Sequence, residues 1–247
     1  MYEGLTMKII AVTQKGINKK ENEDRIVVGK TILAGGILLT EMENGVVAVA
    51  DGVGGQNAGS VASHFVANKV CSLSDVTVEV FQQINAELMS LSMENAENNG
   101  MATTLSGIHF SEGQTRLFSI GNTRVYLLQS RKYLKQLTVD DTTLNYLLAT
   151  GQLTKEEAEG FDRKNEITAC FGGGKAELFK IKVSSIDTNS APLMITSDGI
   201  HEYLTVDQME DMIDEFGFSE EACKKMITAA RDNGSYDDIS IVLGDVQ

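Results

Sequence analysis

Four aspartates of this 247-residue chain stand beside the ends of apolar runs. Asp51 closes Val46 to Ala50 and is followed at once by Gly52-Val53-Gly54-Gly55. Asp198 follows Leu193-Met194-Ile195-Thr196-Ser197 and precedes Gly199. Asp237, with Asp238 behind it, leads into Ile239-Ser240-Ile241-Val242, and Asp24 closes Asn22-Glu23-Asp24 before Arg25 to Val28. A carboxylate fixed at a strand end, with glycine after it, has bare peptide groups beside it. Hard cations take such oxygen ligands. Taken singly, each acid reads more simply as a helix cap, a turn former or a solvated surface residue. The recurrence shifts that balance. Carboxylates gathered at one rim repel and raise each other's pKa, and divalent ions relieve the repulsion. An oxygen-only donor set suits Mg²⁺ or Mn²⁺ rather than zinc. Two such ions, about 3.5–4 Å apart, share a water that turns nucleophilic near neutral pH and can attack phosphorus in line, without a covalent enzyme intermediate.

Positioning these acids requires strands that end together. Met7 to Thr13, Arg25 to Val28, Thr31 to Thr40 and Gly45 to Ala50 read as strands, with a sharp turn expected at Gly52. Gln56 to Cys71 and Val76 to Ala96 read as helices, the second from the helical step of Val80, Ile84, Leu88 and Leu91. Thr103 to Phe110, Gln114 to Ile120, Arg124 to Gln129 and Lys132 to Leu137 are short β runs separated by turn residues, a hairpin spacing. Asp141 to Thr150 and Thr154 to Gly160 are helical, and Thr154-Lys155-Glu156-Glu157 has the form of a capping box. Leu178 to Val183, Leu193 to Thr196 and Ile239 to Leu243 are strands. Thr205 to Phe216 and Ser219 to Arg231 are helices that open on good N-caps. Sheets covered by helices, an α+β architecture in one domain over residues 1–247, is the expectation.

The net charge is −14, from 21 basic and 35 acidic residues. That sign argues against nucleic acid or an anionic membrane surface as partner. The three cysteines (Cys71, Cys170, Cys223) form no C-x-x-C pair, so neither a zinc cluster nor a disulfide framework is expected, and a reducing cytoplasm is the default location. Only His64, His109 and His201 could serve a histidine-based site, and none stands in a ligand pattern. No apolar run reaches membrane-spanning length.

The ordered set Asn22-Glu23-Asp24, Asp51-Gly52-Val53-Gly54-Gly55, Met101-Ala102-Thr103-Thr104-Leu105, Gly121-Asn122-Thr123-Arg124-Val125-Tyr126, Ser197-Asp198-Gly199 and Asp237-Asp238-Ile239-Ser240 resembles the metal-dependent protein phosphatases of type 2C. Each motif is short, but their order and spacing run from about residue 8 to residue 245. The resemblance implies a four-layer α-β-β-α sandwich of two mainly antiparallel sheets flanked by helix pairs. It implies hydrolysis of phosphoserine and phosphothreonine in proteins, with two Mn²⁺ or Mg²⁺ ions as cofactors. Asp51 would bridge both ions and the Gly52 carbonyl would bind one of them. Asp198 and Asp237 would hold the first ion, and Glu23 and Asp24 the second through water. Lys19 stands where the family has a phosphate-binding Arg, and offers a point charge rather than a bidentate fork. Phosphorylated proteins would be the substrates and a cognate serine/threonine kinase a partner.

Some positions depart from the pattern. Asn122 stands where an Asp binds a third metal in bacterial members, so that position should be weak or empty. Val53 replaces a His seen in some members, Asp238 replaces the usual Asn, and Ala169-Cys170 replaces Arg-Ala. Asp238 could tighten the metal pair or face solvent. Thr103 and Thr104 read as buried supports of the site, Cys170 as a small buried residue, and Gly160 to Lys175 as a mobile flap near the site. A weak or inactive relative that binds a kinase or phosphoprotein is the competing reading.

Overall fold

The computed structural model describes residues 6–53, 58–188 and 190–246. The chain opens with β1 (Met7–Gln14), β2 (Arg25–Val28), β3 (Thr31–Leu33), β4 (Gly36–Met42), β5 (Gly45–Ala50) and β6 (Gly52–Val53). Helices α1 (Ala58–Val70) and α2 (Val78–Glu94) follow, then β7 (Ala102–Thr103), β8 (Leu105–Ser111), β9 (Gln114–Ile120), β10 (Arg124–Gln129) and β11 (Tyr133–Gln136). Next come α3 (Thr143–Ala149), α4 (Lys155–Ala158), β12 (Phe171–Gly172), β13 (Lys182–Ile186) and β14 (Leu193–Thr196). The chain closes with α5 (Asp198–His201), α6 (Val206–Phe216), α7 (Glu220–Asp232) and β15 (Ile239–Val246).

Two six-stranded antiparallel sheets dominate, in the orders β11-β10-β14-β15-β1-β4 and β13-β9-β8-β5-β2-β3. The central strands are apolar throughout because both of their faces are covered, and the period-two alternation sorts the side chains. In β1, Ile9 and Ala11 join Val47, Val49, Val125, Ile195 and Val242 in a cluster fed by both sheets. Ile10 and Val12 turn the other way, toward Met209, Ile213, Met226 and Ile227 of α6 and α7. In β5, Val46, Ala48 and Ala50 meet Ala62, Val66, Phe81 and Leu88 of α1 and α2. Close-packed cores tolerate little change in volume. Gly107 shows the limit, since a Cβ there would lie 2.4 Å from the Val47 carbonyl oxygen.

The structure corrects several boundaries. Thr31 to Thr40 is not one strand: it breaks at Ala34-Gly35, and the chain passes from the edge of one sheet (β3) to the edge of the other (β4). An apolar run shows no seam when both sides of the break are apolar. The turn expected at Gly52 is a two-residue strand, β6, paired with β7 and through it with β12. The β8–β9 and β10–β11 pairs are hairpins, but β9 and β10 belong to different sheets. The strand placed at Leu178 to Val183 lies at Lys182–Ile186. The helix starts hold: Thr154 and Thr205 make capping boxes with Glu157 and Gln208, and Ser219 caps α7. Gln56 and Asn57, expected to open α1, lie outside the described residues.

Candidate active site

Asp51 leaves β5 and is clamped by two threonines of the β7–β8 segment. Its N–H donates to Thr104 Oγ1 at 3.1 Å, and its carbonyl accepts from Thr103 Oγ1 at 2.8 Å and from the Thr104 N–H at 2.9 Å. Both threonines are fully buried, as expected of supports. Gly52 sits where no side chain fits: a Cβ would stand 2.4 Å from the Gly59 carbonyl oxygen and 2.8 Å from that of Glu23. Gly59 faces it from α1 under the same constraint, with Glu23 Oε1 at 2.7 Å from a built Cβ. Ser63 of α1 donates to the Glu23 carbonyl at 2.5 Å. Two glycines and a serine thus press α1, the Glu23 segment and the Asp51 strand end together.

Asp198 opens the short helix α5, and Gly199 lets that helix touch the next acid pair, since a Cβ on Gly199 would lie 2.1 Å from the Asp238 carbonyl oxygen. The Asp51 and Asp198 carboxyls are within hydrogen-bond reach of each other. Asn122 Nδ2 donates to Asp198 Oδ2 at 3.0 Å. Asp24 is fully buried; Ser197 donates to its Oδ2 at 2.8 Å, while its Oδ1 has no protein partner. Burial raises the pKa of all three acids. The neighbouring charges of Asp198, Asp24 and Asp237 push Asp51 further up, so that it lies well above the carboxylate range. Asp237 adds to the rise at Asp198. Burial, then Asp238 and Asp198, lift Asp24 to about 7 against the bond from Ser197.

On the other side of the cluster, Lys19 Nζ contacts Asp237, Asp238 Oδ2 at 3.0 Å and Glu23 Oε2 at 3.3 Å. Burial lowers the pKa of this amine, but hydrogen bonds and charge from Asp237 and Asp238 outweigh that and raise it. Asp238 does not face solvent, and its charge reaches the acid cluster at Asp24. It is 2% exposed and also accepts from the Gly16 and Glu23 N–H groups, at 2.7 Å and 2.8 Å. Its role as the organiser of the Lys19 loop was not legible in the sequence, because its donors lie more than 200 positions away. Arg231 escaped the sequence reading too. It bonds the carbonyls of Ser235, Asp237 and Lys15 at 2.9, 2.8 and 3.1 Å, stapling the two loops. A buried relay of Asn22, Thr13 and Ser240 supports the same corner.

The structure therefore brings Lys19, Glu23, Asp24, Asp51, Gly52, Asn122, Asp198 and Asp237 to one rim. Among the described residues, no three His, Cys, Asp or Glu side chains converge as ligands of a single ion would; the Lys19 ammonium stands among Glu23, Asp237 and Asp238 instead. The donor set still fits a hard divalent cation. It is all oxygen, it holds the partnerless buried Asp24 Oδ1, and around Asp51 the charges of Asp198, Asp24 and Asp237 outweigh that of Lys19. Asn122 turns its Nδ2 toward Asp198, while its buried Oδ1 has no protein partner. Residues 160–175 lie close by: Thr142 bridges to Ile167, and Thr168 donates to the Asp141 carbonyl at 2.8 Å. Cys170 is buried and its thiol is pushed up to about 11 by burial, the behaviour of a packed residue. No helix among the described residues is long and apolar enough to cross a membrane.

Residues 36–234 match the family described as Protein phosphatase 2C. The chain is 31% identical over 250 residues to the serine/threonine phosphatase stp of Listeria monocytogenes, covering 94% of this chain and 92% of that protein. The structure of the serine/threonine phosphatase Stp1 from Staphylococcus aureus superposes with a TM-score of 0.80 at 26% identity, over 100% of this chain and 98% of that one. A structure of the PstP catalytic domain in complex with two manganese ions superposes with a TM-score of 0.74 at 24% identity, over 98% of this chain and 99% of that one. The fold, the order of the motifs and the near full-length similarity agree: the chain belongs to the protein phosphatase 2C family of serine/threonine phosphatases.

Proposed function

We propose that this serine/threonine phosphatase hydrolyses phosphoserine and phosphothreonine of protein substrates by direct attack of water on phosphorus. One observation carries the reading: Asp51 and Asp198, remote in sequence, meet within hydrogen-bond reach, with Asp24 and Asp237 close enough to shift their titration. Two Mn²⁺ or Mg²⁺ ions would be held by Asp51, the Gly52 carbonyl, Asp198 and Asp237, with Glu23 and Asp24 acting through water. When bound they supply positive charge for the phosphoryl oxygens and acidify the attacking water. Asp24 Oδ1, a buried acceptor without a protein donor, suits such a water.

The side chains around the acids define the rest of the chemistry. Thr103 and Thr104 fix the main chain of Asp51, so its carboxylate is aimed without reorganisation. Asn122 orients Asp198 through its Nδ2, and its neutral amide is a poorer ligand for a hard cation than a carboxylate, which supports a weak third site. Lys19 is kept charged by its acidic neighbours and presents a point charge to the phosphate. A covalent intermediate is disfavoured: Cys170 and Cys223 are buried with thiols pushed up to about 11 and about 12. The four-layer α-β-β-α sandwich is supported by three apolar clusters, one fed by both sheets and one on the helix side of each. We further infer one catalytic domain over the chain, and a serine/threonine kinase as the enzyme that makes its substrates. Hydrolysis of p-nitrophenyl phosphate and of a phosphothreonine peptide tests the reading. Turnover should require Mn²⁺ or Mg²⁺ and vanish with chelator. Turnover indifferent to chelator would refute it, and no turnover with either ion would favour a binding module.

A further inference from the structure

Ile17 and Tyr236 are 53% and 65% exposed, and neither belongs to any of the three apolar clusters. Single exposed apolar residues need no explanation, but these two are neighbours in space. The Ile17 N–H donates to the Tyr236 carbonyl at 2.9 Å. Their exposure is not looseness. Gly16 lies directly beneath, where a Cβ would stand 2.6 Å from the Tyr236 carbonyl oxygen, and Asn18 takes a left-handed turn with φ 66°. Arg231 ties down Lys15 on one loop and Ser235 and Asp237 on the other. Tyr203, partly buried, lies close to Tyr236 and Asp237. The staple and the close glycine contact therefore fix the main chain that carries these two exposed apolar residues.

Their place in the chain is the second observation. Tyr236 directly precedes Asp237, and Ile17 stands two residues before Lys19, whose ammonium contacts that same Asp237. A peptide bound in extended form advances about 3.3 Å per residue. The residues beside a phosphorylated serine or threonine at the acid cluster would then pass over this rim. A second copy of the chain is the poorer occupant: a stable interface needs roughly 1,200 Å² or more, which two side chains do not supply, and two chains of net charge −14 would repel.

We propose that Ile17 and Tyr236 form an apolar subsite that selects a large apolar side chain flanking the phosphorylated residue of the substrate. The inference rests on the phosphatase reading above and names the class of substrate that it favours. Phosphothreonine peptides that differ only in Leu or Ser at the flanking positions test it, with the Mn²⁺-loaded enzyme and its Ile17→Ser/Tyr236→Ser variant. The ratio of kcat/KM for the Leu and Ser peptides is taken within each enzyme, so a general loss of activity or folding cancels. The wild type should favour Leu by about fivefold or more at one flanking position. The ratio should fall to about one in the variant, mainly through KM. A flat ratio in the wild type, or a preference that survives in the variant, would overturn the subsite. If the wild type hydrolyses p-nitrophenyl phosphate but shows flat ratios, only the subsite fails. If it hydrolyses neither, the phosphatase reading fails with it.

Discussion

The two sides of the rim treat the same residue type in opposite ways. Around Lys19, the carboxylates of Asp237, Asp238 and Glu23 share an ammonium, and Asp238 also collects two N–H donors. Around Asp51, the carboxylates of Asp51, Asp198 and Asp24 face one another with an amide, a serine and two unpartnered acceptors, Asp24 Oδ1 and Asn122 Oδ1. The first arrangement is satisfied by the protein itself while no ion is bound, and within it Asp238, with its two main-chain donors, reads as architecture. The second is held together against its own charge, which a folded chain tolerates where a ligand completes the site. An acid's surroundings, not its type, separate support from chemistry.

The largest expected effect comes from breaking the unsatisfied side. Asp51→Asn should lower Mn²⁺-dependent turnover by at least about 100-fold, while the metal-free protein melts at the same or a higher temperature because a buried charge is gone. Unchanged turnover would remove Asp51 from the mechanism, and a large fall in melting temperature would make it architecture. Next comes the satisfied side. Asp238→Ala leaves the Gly16 and Glu23 donors without an acceptor and should cost about 2–3 kcal/mol by denaturant unfolding. An unchanged unfolding midpoint would show that Asp238 organises nothing.

The Asn122→Asp variant sharpens the boundary between the two sides. It replaces a donor to Asp198 with a further negative charge. The metal-free variant should lose about 1 kcal/mol, and Mn²⁺ should restore it and raise turnover. A variant that responds to Mn²⁺ as the wild type does would show that Asn122 is not what weakens a third ion. An effect that appears only as pH falls lies behind this boundary, at His201. Burial first, and then the Arg124 charge, hold its pKa well below the usual histidine value, and Nδ1 pairs with Thr196 Oγ1 at 2.8 Å. A depressed folded pKa means that the unfolded chain takes up a proton first. Its stability contribution is therefore complete above about pH 6.5 and is lost as pH falls below that, by at most about 1.4 kcal/mol per unit. In His201→Gln, melting between pH 7 and 5 should lose part of this slope; an identical slope would show that His201 does not titrate on unfolding.

The acids were legible in the sequence because strand ends and glycines mark them: Asp51, Asp198 and Asp237 all follow or precede apolar runs that are strands. Capped helices were legible for a similar reason, since Thr205 and Ser219 act on residues three positions away. What escaped was long-range. From sequence Asp238 could tighten the metal pair or face solvent; its Gly16 and Glu23 donors, more than 200 positions away, leave no local mark. Arg231 lies in the last turn of α7, and nothing in the local pattern marks the three carbonyls it bonds. The passage between sheets at Ala34-Gly35 was hidden inside an apolar run, since local pattern carries no record of which sheet a strand joins. The short strand β6 was missed because its pairing partner β7 lies about 50 residues on.

The most direct test is anomalous diffraction from crystals grown with Mn²⁺. The account predicts two strong peaks at the rim, both touching Asp51, with Asp198 and Asp237 on one of them and no third peak of similar strength beside Asn122. Manganese bound elsewhere, or a rim in which Asp51 touches no ion, would contradict it.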